Sequence, residues 1–158
     1  MRHTISILVE NEFGVLSRVV GLFSGRGFNI ESLCVAETED RGISRITIVT
    51  EGNKQIVEQI LKQLNKLIPV LKVSDFTGQD TVDRELVLVR VKVDNDSKPE
   101  VMRLIDIFRA KIVDAAPRSY TIEMTGGEKK VEAFMQLLRP FGIKDIVRTG
   151  KIAIARGI

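Results

Sequence analysis

The chain has 158 residues, of which 44% are hydrophobic and 28% charged, and its formal net charge is +3 at pH 7. This balance excludes an intrinsically disordered chain and is typical of one globular domain or two small ones. No apolar run approaches the roughly 18 residues of a membrane-spanning helix, and no signal peptide is predicted. A single cysteine excludes an intramolecular disulfide framework and favours a cytoplasmic protein.

The first half of the chain predicts the element order β-α-β-β-α-β. Its apolar patterns predict strands over residues 3–9, 28–38, 43–50 and 70–76. The first helix begins near Val15, and its predicted buried residues follow helical spacing: Val15, Leu16, Val19, Leu22 and Phe23. The second begins after Asn53, a good N-cap residue, and ends before Pro69. Its predicted apolar stripe comprises Ile56, Ile60, Leu64 and Leu67.

The second half repeats this order in pattern, without visible sequence similarity. Strands are predicted over residues 86–93, 112–115, 119–124, 143–147 and 152–155. One helix starts at Pro99, where the missing N–H costs nothing, and another carries Val131, Phe134 and Leu138 before Pro140. Each half is therefore predicted to be an α+β, ferredoxin-like βαββαβ domain. The predicted boundaries are 1–77 for the first domain, 78–83 for a linker and 84–158 for the second domain.

A sheet with helices on one face needs a cover for the other face. Domains of this size bury a limited core, so packing between sheets or edge-to-edge pairing with a second copy is expected. We therefore predict a homodimer with residues 29–38 as a natural edge contact.

The loop between the first strand and the first helix is the most informative local feature. Unpaired N–H groups near Gly14, Val15 and Leu16 would lie at the positive end of the helix dipole and attract an anion. The side-chain amide of Asn11 can donate and accept hydrogen bonds, so this group suits a free amino acid. A plain strand-to-helix turn, in which Gly14 serves the bend alone, is the alternative interpretation.

No catalytic, metal or nucleic-acid site is predicted. His3 is the single histidine, and a tolerated surface or partly buried position fits it better than a general base. Cys34 lies in an apolar stretch and is interpreted as a small hydrophobic residue. The basic residues are scattered, with no tryptophan and one tyrosine, which argues against nucleic-acid binding. A binding or regulatory module is favoured over a small enzyme.

The residues also resemble a known family. Residues 7–18 (ILVENEFGVLSR) and 21–33 (GLFSGRGFNIESL) are closely similar to the small, regulatory subunits of acetolactate synthase (acetohydroxyacid synthase). The similarity continues over residues 44–48, 62–67, 84–86 and 107–114 and covers essentially the whole chain. It implies an N-terminal ACT domain, which is a ferredoxin-like effector module, followed by a ferredoxin-like C-terminal domain.

The resemblance also implies a function. Members of this family are non-catalytic dimers that bind and activate the catalytic large subunit in branched-chain amino acid biosynthesis, and they confer feedback inhibition by valine. Thiamine diphosphate, magnesium and FAD are expected in the large subunit, and no cofactor or metal is expected in this chain. The family's effector motif corresponds to Asn11, Gly14, Val15 and Leu16 of one protomer, with Asn29 and Ile30 contributed by the other.

Two other functions were weighed against this expectation. An amino-acid sensor that controls transcription would need a helix-turn-helix, for which neither end of the chain is expected to have room. A small enzyme of ferredoxin-like fold would need the catalytic residues that the sequence lacks.

Overall fold

A computed structural model describes residues 1–157, and two compact units account for them. The first unit consists of Met1–Val82 together with the segment that starts at Lys151, and the second is Asp83–Gly150. In the first unit the elements, in chain order, are β1 (Arg2–Glu10), α1 (Val15–Ser24), β2 (Ile30–Glu37), β3 (Ile43–Glu51), α2 (Lys54–Lys66) and β4 (Val70–Asp75). The strands form an antiparallel sheet in the order β2-β3-β1-β4, so β2 and β4 are its edges.

One face of this sheet packs against the two helices. Alternate residues of β1 and β3 are buried there against α1 and α2, and the fully buried side chains of this core include Ile5, Ile7, Ile46, Ile48, Phe23, Ile60 and Leu64. Asn53 caps α2 as predicted, because its side chain accepts a hydrogen bond of 2.8 Å from the N–H of Gln55. Two predicted buried residues are instead partly exposed, Leu16 at 41% and Ile56 at 37%. Each lies beside a valine that takes the inward position on its helix.

His3 is a correction to the sequence interpretation, because it is 2% exposed and therefore fully buried rather than at the surface or partly buried. It lies on the helix-facing side of β1, opposite Thr50 in the neighbouring strand. Its Nδ1 lies 3.2 Å from the hydroxyl of Thr77, which in turn donates to Asp75.

The end of the chain lies over the opposite face of the first sheet. The N–H of Lys151 donates to the hydroxyl of Ser32 at 3.1 Å, and its ammonium donates to Thr4 at 3.3 Å. Further along, Arg156 donates to the carboxylate of Asp80. By their contacts, residues 151–157 therefore belong to the first unit. An apolar alternation predicts a strand but does not identify its neighbours, so these contacts could not be predicted from the pattern. The predicted C-terminal domain of residues 84–158 stays a prediction.

In the second unit the elements, in chain order, are most of β5 (Thr81–Lys92), α3 (Lys98–Ile107), β6 (Lys111–Ala116), β7 (Ser119–Gly126), α4 (Glu128–Leu138), a 3-10 helix (Arg139–Phe141) and β8 (Ile143–Arg148). The short strand β9 (Ile152–Ala155) lies in the terminal segment of the first unit. The sheet order of the second unit is β6-β7-β5-β8. Because β5 begins at Thr81, the predicted linker of residues 78–83 already contains the start of a strand. Pro99 lies in the first turn of α3, as predicted. The predicted fold of two βαββαβ units is confirmed.

A charge pair between a buried glutamate and an exposed arginine lies at the start of this second sheet. Glu85 is 7% exposed, and Arg148 of β8 donates to both of its carboxylate oxygens, with 3.0 Å between Nη2 and Oε2. The hydrogen bond to Glu85 raises the pKa of the Arg148 guanidinium above its ordinary value. Such a bidentate pair fixes the register between β5 and β8. None of the helices within residues 1–157 combines the length and apolarity needed to cross a membrane.

Candidate functional site

The loop after β1 is held in place by Asn11. The backbone N–H of Asn11 donates to the carbonyl of Gly42 at 2.8 Å. Its side-chain amide donates to the carbonyl of Arg41 at 3.0 Å and to the carboxylate of Glu37 at 3.3 Å. Both amide protons are therefore used within the chain, and the side-chain oxygen of Asn11 keeps its accepting capacity.

The first turn of α1 leaves backbone donors open. Gly14 precedes the helix with a φ of 82°, and no side chain caps the helix start. Within residues 1–157, the N–H groups of Leu16 and Ser17 make no hydrogen bond, and that of Val15 makes a long one of 3.5 Å. A Cβ at Gly14 would meet no atom within 4 Å. Open space and free donors at a helix N-terminus suit a carboxylate or phosphate.

Apolar residues flank this turn and differ in their roles. Val15 is 4% exposed, and its side chain anchors the start of α1 in the core. Its backbone N–H lies at the open turn. Leu16 is 41% exposed and offers apolar surface beside the free donors. Phe13 is fully exposed, so it adds nothing to the core of its own chain.

Asn29 and Ile30 lie at the start of β2. The hydroxyl of Thr50 donates to the carbonyl of Asn29 at 2.6 Å, and Ile30 lies opposite Thr50 in the ladder. The ring of Phe28 lies directly over Gly52, where a Cβ would come within 1.4 Å of it. These contacts fix where β2 begins, while the side chain of Asn29 stays exposed.

The predicted site residues form two groups within one chain. Ile30 lies opposite Thr50, and Thr50 lies opposite His3, so Asn29 and Ile30 belong to the end of the sheet where β1 begins. Asn11 follows the other end of β1, eight residues after His3. At about 3.3 Å per residue, the two groups are roughly 26 Å apart along the sheet.

Glu37 is a candidate site residue that sequence reasoning missed. It is the last residue of β2, and its carboxylate lies 3.3 Å from the amide nitrogen of Asn11. No salt bridge from a basic side chain to Glu37 is found in residues 1–157, so its charge faces the loop. The signal in the sequence is an acidic residue at the end of a predicted strand. Only the strand order shows that this strand end lies beside the loop after β1, and the strand order is not local information.

The other chemically interesting residues do not assemble into a site. Cys34 is partly exposed on β2, opposite Thr47, with no histidine on a neighbouring strand position. His3 is buried beside Thr77. Within the described part of the chain, no group of three or more histidine, cysteine, aspartate or glutamate side chains could hold a metal ion.

Family models of known proteins match both halves of the chain. Residues 5–72 match the model of the AHAS small subunit-like ACT domain, and residues 84–157 match the model of the small subunit of acetolactate synthase. A probable acetolactate synthase small subunit from Archaeoglobus fulgidus is 55% identical over 157 residues, covering 99% of this chain and 98% of the relative. The chain belongs to the family of acetolactate synthase small subunits.

Other relatives support the same assignment. The acetolactate synthase small subunit of Haemophilus influenzae is 51% identical over 158 residues, covering 99% of this chain and 97% of the relative. The crystal structure of the small subunit from Thermotoga maritima superposes with a TM-score of 0.88 at 41% identity, covering 100% of this chain and 99% of that one. Membership in this family gives the chain a small-subunit, regulatory role, and its first unit is an ACT domain.

Proposed function

We propose that this chain binds and activates the catalytic large subunit of acetolactate synthase and confers feedback inhibition by valine through a site at the interface of two ACT domains. The carrying observation is that the two groups of site residues lie roughly 26 Å apart in one chain, at opposite ends of an edge strand. A single protomer therefore cannot surround one amino acid with both groups, whereas two protomers can.

The geometry of β2 supports the required dimer. As an edge strand it presents unpaired backbone groups, and Leu33 and Val35 are 37% and 40% exposed. In an antiparallel pair of two β2 strands around a twofold axis, the start of one strand lies beside the end of the other. Ile30 of one protomer then approaches Glu37 of its partner, and Glu37 already contacts Asn11. This pairing completes the site twice in each dimer.

Valine fits the chemistry of such a site. Its carboxylate takes the free N–H groups at the start of α1, where the helix dipole favours negative charge. Its ammonium takes the carboxylate of Glu37 and the side-chain oxygen of Asn11, and Asn29 of the partner adds a polar group. Its isopropyl group packs on Leu16 and the partner's Ile30. One methylene changes affinity by about 1–3 kcal/mol, so leucine or isoleucine also binds, more weakly.

The regulation follows from linkage. A ligand that bridges two protomers shifts the equilibrium between two arrangements of the dimer by its difference in affinity for them. The large subunit senses that arrangement through its contact with this chain. Thiamine diphosphate, magnesium and FAD belong to the large subunit in this proposal, and this chain contributes no catalytic group.

Titration calorimetry of the purified chain with valine tests the site, with alanine and leucine as comparison ligands. We expect saturable valine binding at about two sites per dimer. Replacing Glu37 by glutamine keeps its size and removes its charge, and it is expected to weaken valine binding about tenfold. Glu39→Gln, in the exposed turn after β2, is the matched control. Equal affinity in Glu37→Gln and the wild type would exclude Glu37 as the ammonium partner.

Reconstitution tests the regulatory role itself. The cognate large subunit is assayed for acetolactate formation alone, with this chain, and with this chain plus valine. We expect activation by the chain and its reversal by valine, with the reversal weakened in Glu37→Gln. Activation that valine does not reverse would restrict the function to an activator without feedback.

A further inference from the structure

A cavity of about 180 Å³ lies on the face of the first sheet opposite its helices. Its floor is formed by two neighbouring rows of residues that run across three strands. In one row Leu8 of β1 lies between Arg45 of β3 and Lys72 of β4, and in the next row Ser6 pairs with Ser74. Two cations thus face the same space on either side of a central apolar residue, beside a pair of hydroxyl groups.

The charge of this cavity is uncompensated. Arg45 is partly buried, and its single hydrogen bond in residues 1–157 runs from Nη1 to the hydroxyl oxygen of Ser6 at 2.8 Å. Within the same residues, no carboxylate lies within salt-bridge distance of Arg45 or Lys72. Cations withdrawn from water are normally paired, so a partly buried arginine bound to a neutral hydroxyl is unusual.

The cavity also offers hydrogen-bond donors to an incoming anion. Arg45 uses one of its five N–H groups within the chain, so the others remain available. Ser6 is 3% exposed and accepts from Arg45, which leaves its hydroxyl proton free to donate. Ser74 is partly buried and lies beside Ser6 across the ladder. Two cations and two hydroxyl groups match the acceptor oxygens of a phosphate or carboxylate.

The walls of the cavity limit the size of the ligand. Phe76, Ile154 and Ala155 line it, so the terminal segment of the first unit closes one side. A volume of 180 Å³ equals that of about six water molecules, and it lies below the roughly 300 Å³ at which cavities begin to hold drug-sized molecules. An inorganic phosphate or a small carboxylate therefore fits within the cavity itself.

We propose that this cavity binds a small oxyanion, phosphate or carboxylate, between Arg45 and Lys72 with the hydroxyl groups of Ser6 and Ser74 as further donors. None of these four residues belongs to the valine site, so the inference does not depend on the function proposed above. An anion here links β1, β3 and β4 of the ACT sheet and stabilises the first unit.

Nuclear magnetic resonance titration of the ¹⁵N-labelled chain tests the proposal. Inorganic phosphate and acetate are added separately, with chloride adjusted to keep the ionic strength constant. We expect saturable shifts of the backbone amides of Ser6, Arg45 and Ser74 with at least one of the two anions. Saturation by phosphate alone assigns the cavity to phosphate, and saturation by acetate assigns it to carboxylates.

Variants then separate the cavity from general charge effects. Arg45→Gln and Lys72→Gln are each expected to raise the dissociation constant of the anion about tenfold or more. Lys62→Gln, an exposed lysine on α2, is the matched control and is expected to leave it unchanged. Because Lys72 is exposed, its variant decides the test if Arg45→Gln fails to fold.

Two results of the anion titrations would overturn the proposal. One is the absence of saturable shifts with both anions. The other is an equal rise of the anion's dissociation constant in Lys62→Gln and Lys72→Gln. Valine affinity measured in Lys72→Gln is expected to equal that of the wild type. A loss of valine affinity in this variant would assign Lys72 to the valine site and would contradict the claim that the cavity is independent of that site.

Discussion

Replacing Gly14 by aspartate tests the open turn at the start of α1. The residue has a φ of 82°, and a side chain in this left-handed region costs about 1–2 kcal/mol. A Cβ there meets nothing within 4 Å, so no steric cost is added. Because this cost is small beside a typical free energy of unfolding of about 5–15 kcal/mol, the variant is expected to fold.

The effect on binding is larger, because the new carboxylate would face that of valine. Two like charges about 4 Å apart repel by about 4 kcal/mol at an effective dielectric constant of about 20. Screening at this exposed loop reduces the repulsion, so we expect valine affinity to fall by at least about a hundredfold. Calorimetry measures the affinity, and urea denaturation measures the stability.

Two further variants isolate the cause. Gly78 has a φ of 72° and equally open surroundings, so Gly78→Asp adds the same charge and strain away from the site. It is expected to lose about 1–2 kcal/mol of stability and to bind valine normally. Gly14→Ala carries the strain without the charge, and a smaller loss of affinity is expected. Near-normal valine binding by Gly14→Asp would refute the placement of the carboxylate at this turn.

The remaining predictions concern stability and pH. Gly52→Ala places a Cβ 1.4 Å from the Phe28 ring, so we expect a loss of about 1–3 kcal/mol on urea denaturation. Gly21→Ala, in an open helical position, is the control and is expected to gain about 0.5–1 kcal/mol of stability. A larger loss of stability in Gly21→Ala than in Gly52→Ala would contradict the packing argument. Hydrogen bonds from Ser97 lower the pKa of Asp94, so their contribution to stability is present above the ordinary carboxyl pKa and is lost as the pH falls through the lowered value. Ser97→Ala removes the hydroxyl but keeps the backbone N–H, which is the larger cause, so we expect the pKa of Asp94 to rise only part of the way toward its ordinary value in a carbon-detected titration. The variant is expected to destabilise the fold near neutral pH more than in acid, and a full return of the Asp94 pKa to its ordinary value would refute the backbone N–H as the main cause.

Local rules predicted the elements of the fold well. The cap at Asn53 and the helix start at Pro99 depend on neighbouring residues alone, and both are found as expected. Burial was less predictable at Leu16 and Ile56, because helical spacing defines a stripe whose borders depend on how the helix is rotated against the sheet. The core position of His3 was missed, since a residue type indicates average burial and not the face of a particular strand.

The candidate site was predictable in part for a similar reason. The loop around Gly14 carries a local signature, and its backbone geometry and free donors agree with the anion-binding interpretation. The contact between Asn11 and Glu37 joins residues 26 positions apart and depends on the strand order. The cavity beside Arg45 likewise depends on which residues share a face across three strands. Chain-distant contacts of this kind need the folded topology before they can be recognised.

The return of residues 151–157 to the first unit makes that unit discontinuous in sequence. Truncation after Val82 would remove the part of its own structure that contacts Ser32, Thr4 and Asp80. A fragment cut at the apparent boundary would therefore uncover Ser6, which is 3% exposed in the whole chain and lines a cavity together with Ile154 and Ala155. Among the described residues, the first unit thus consists of two stretches, 1–82 and 151–157, with the second unit between them in sequence. A single-domain version of the first unit would have to carry residues 151–157 as well as residues 1–82.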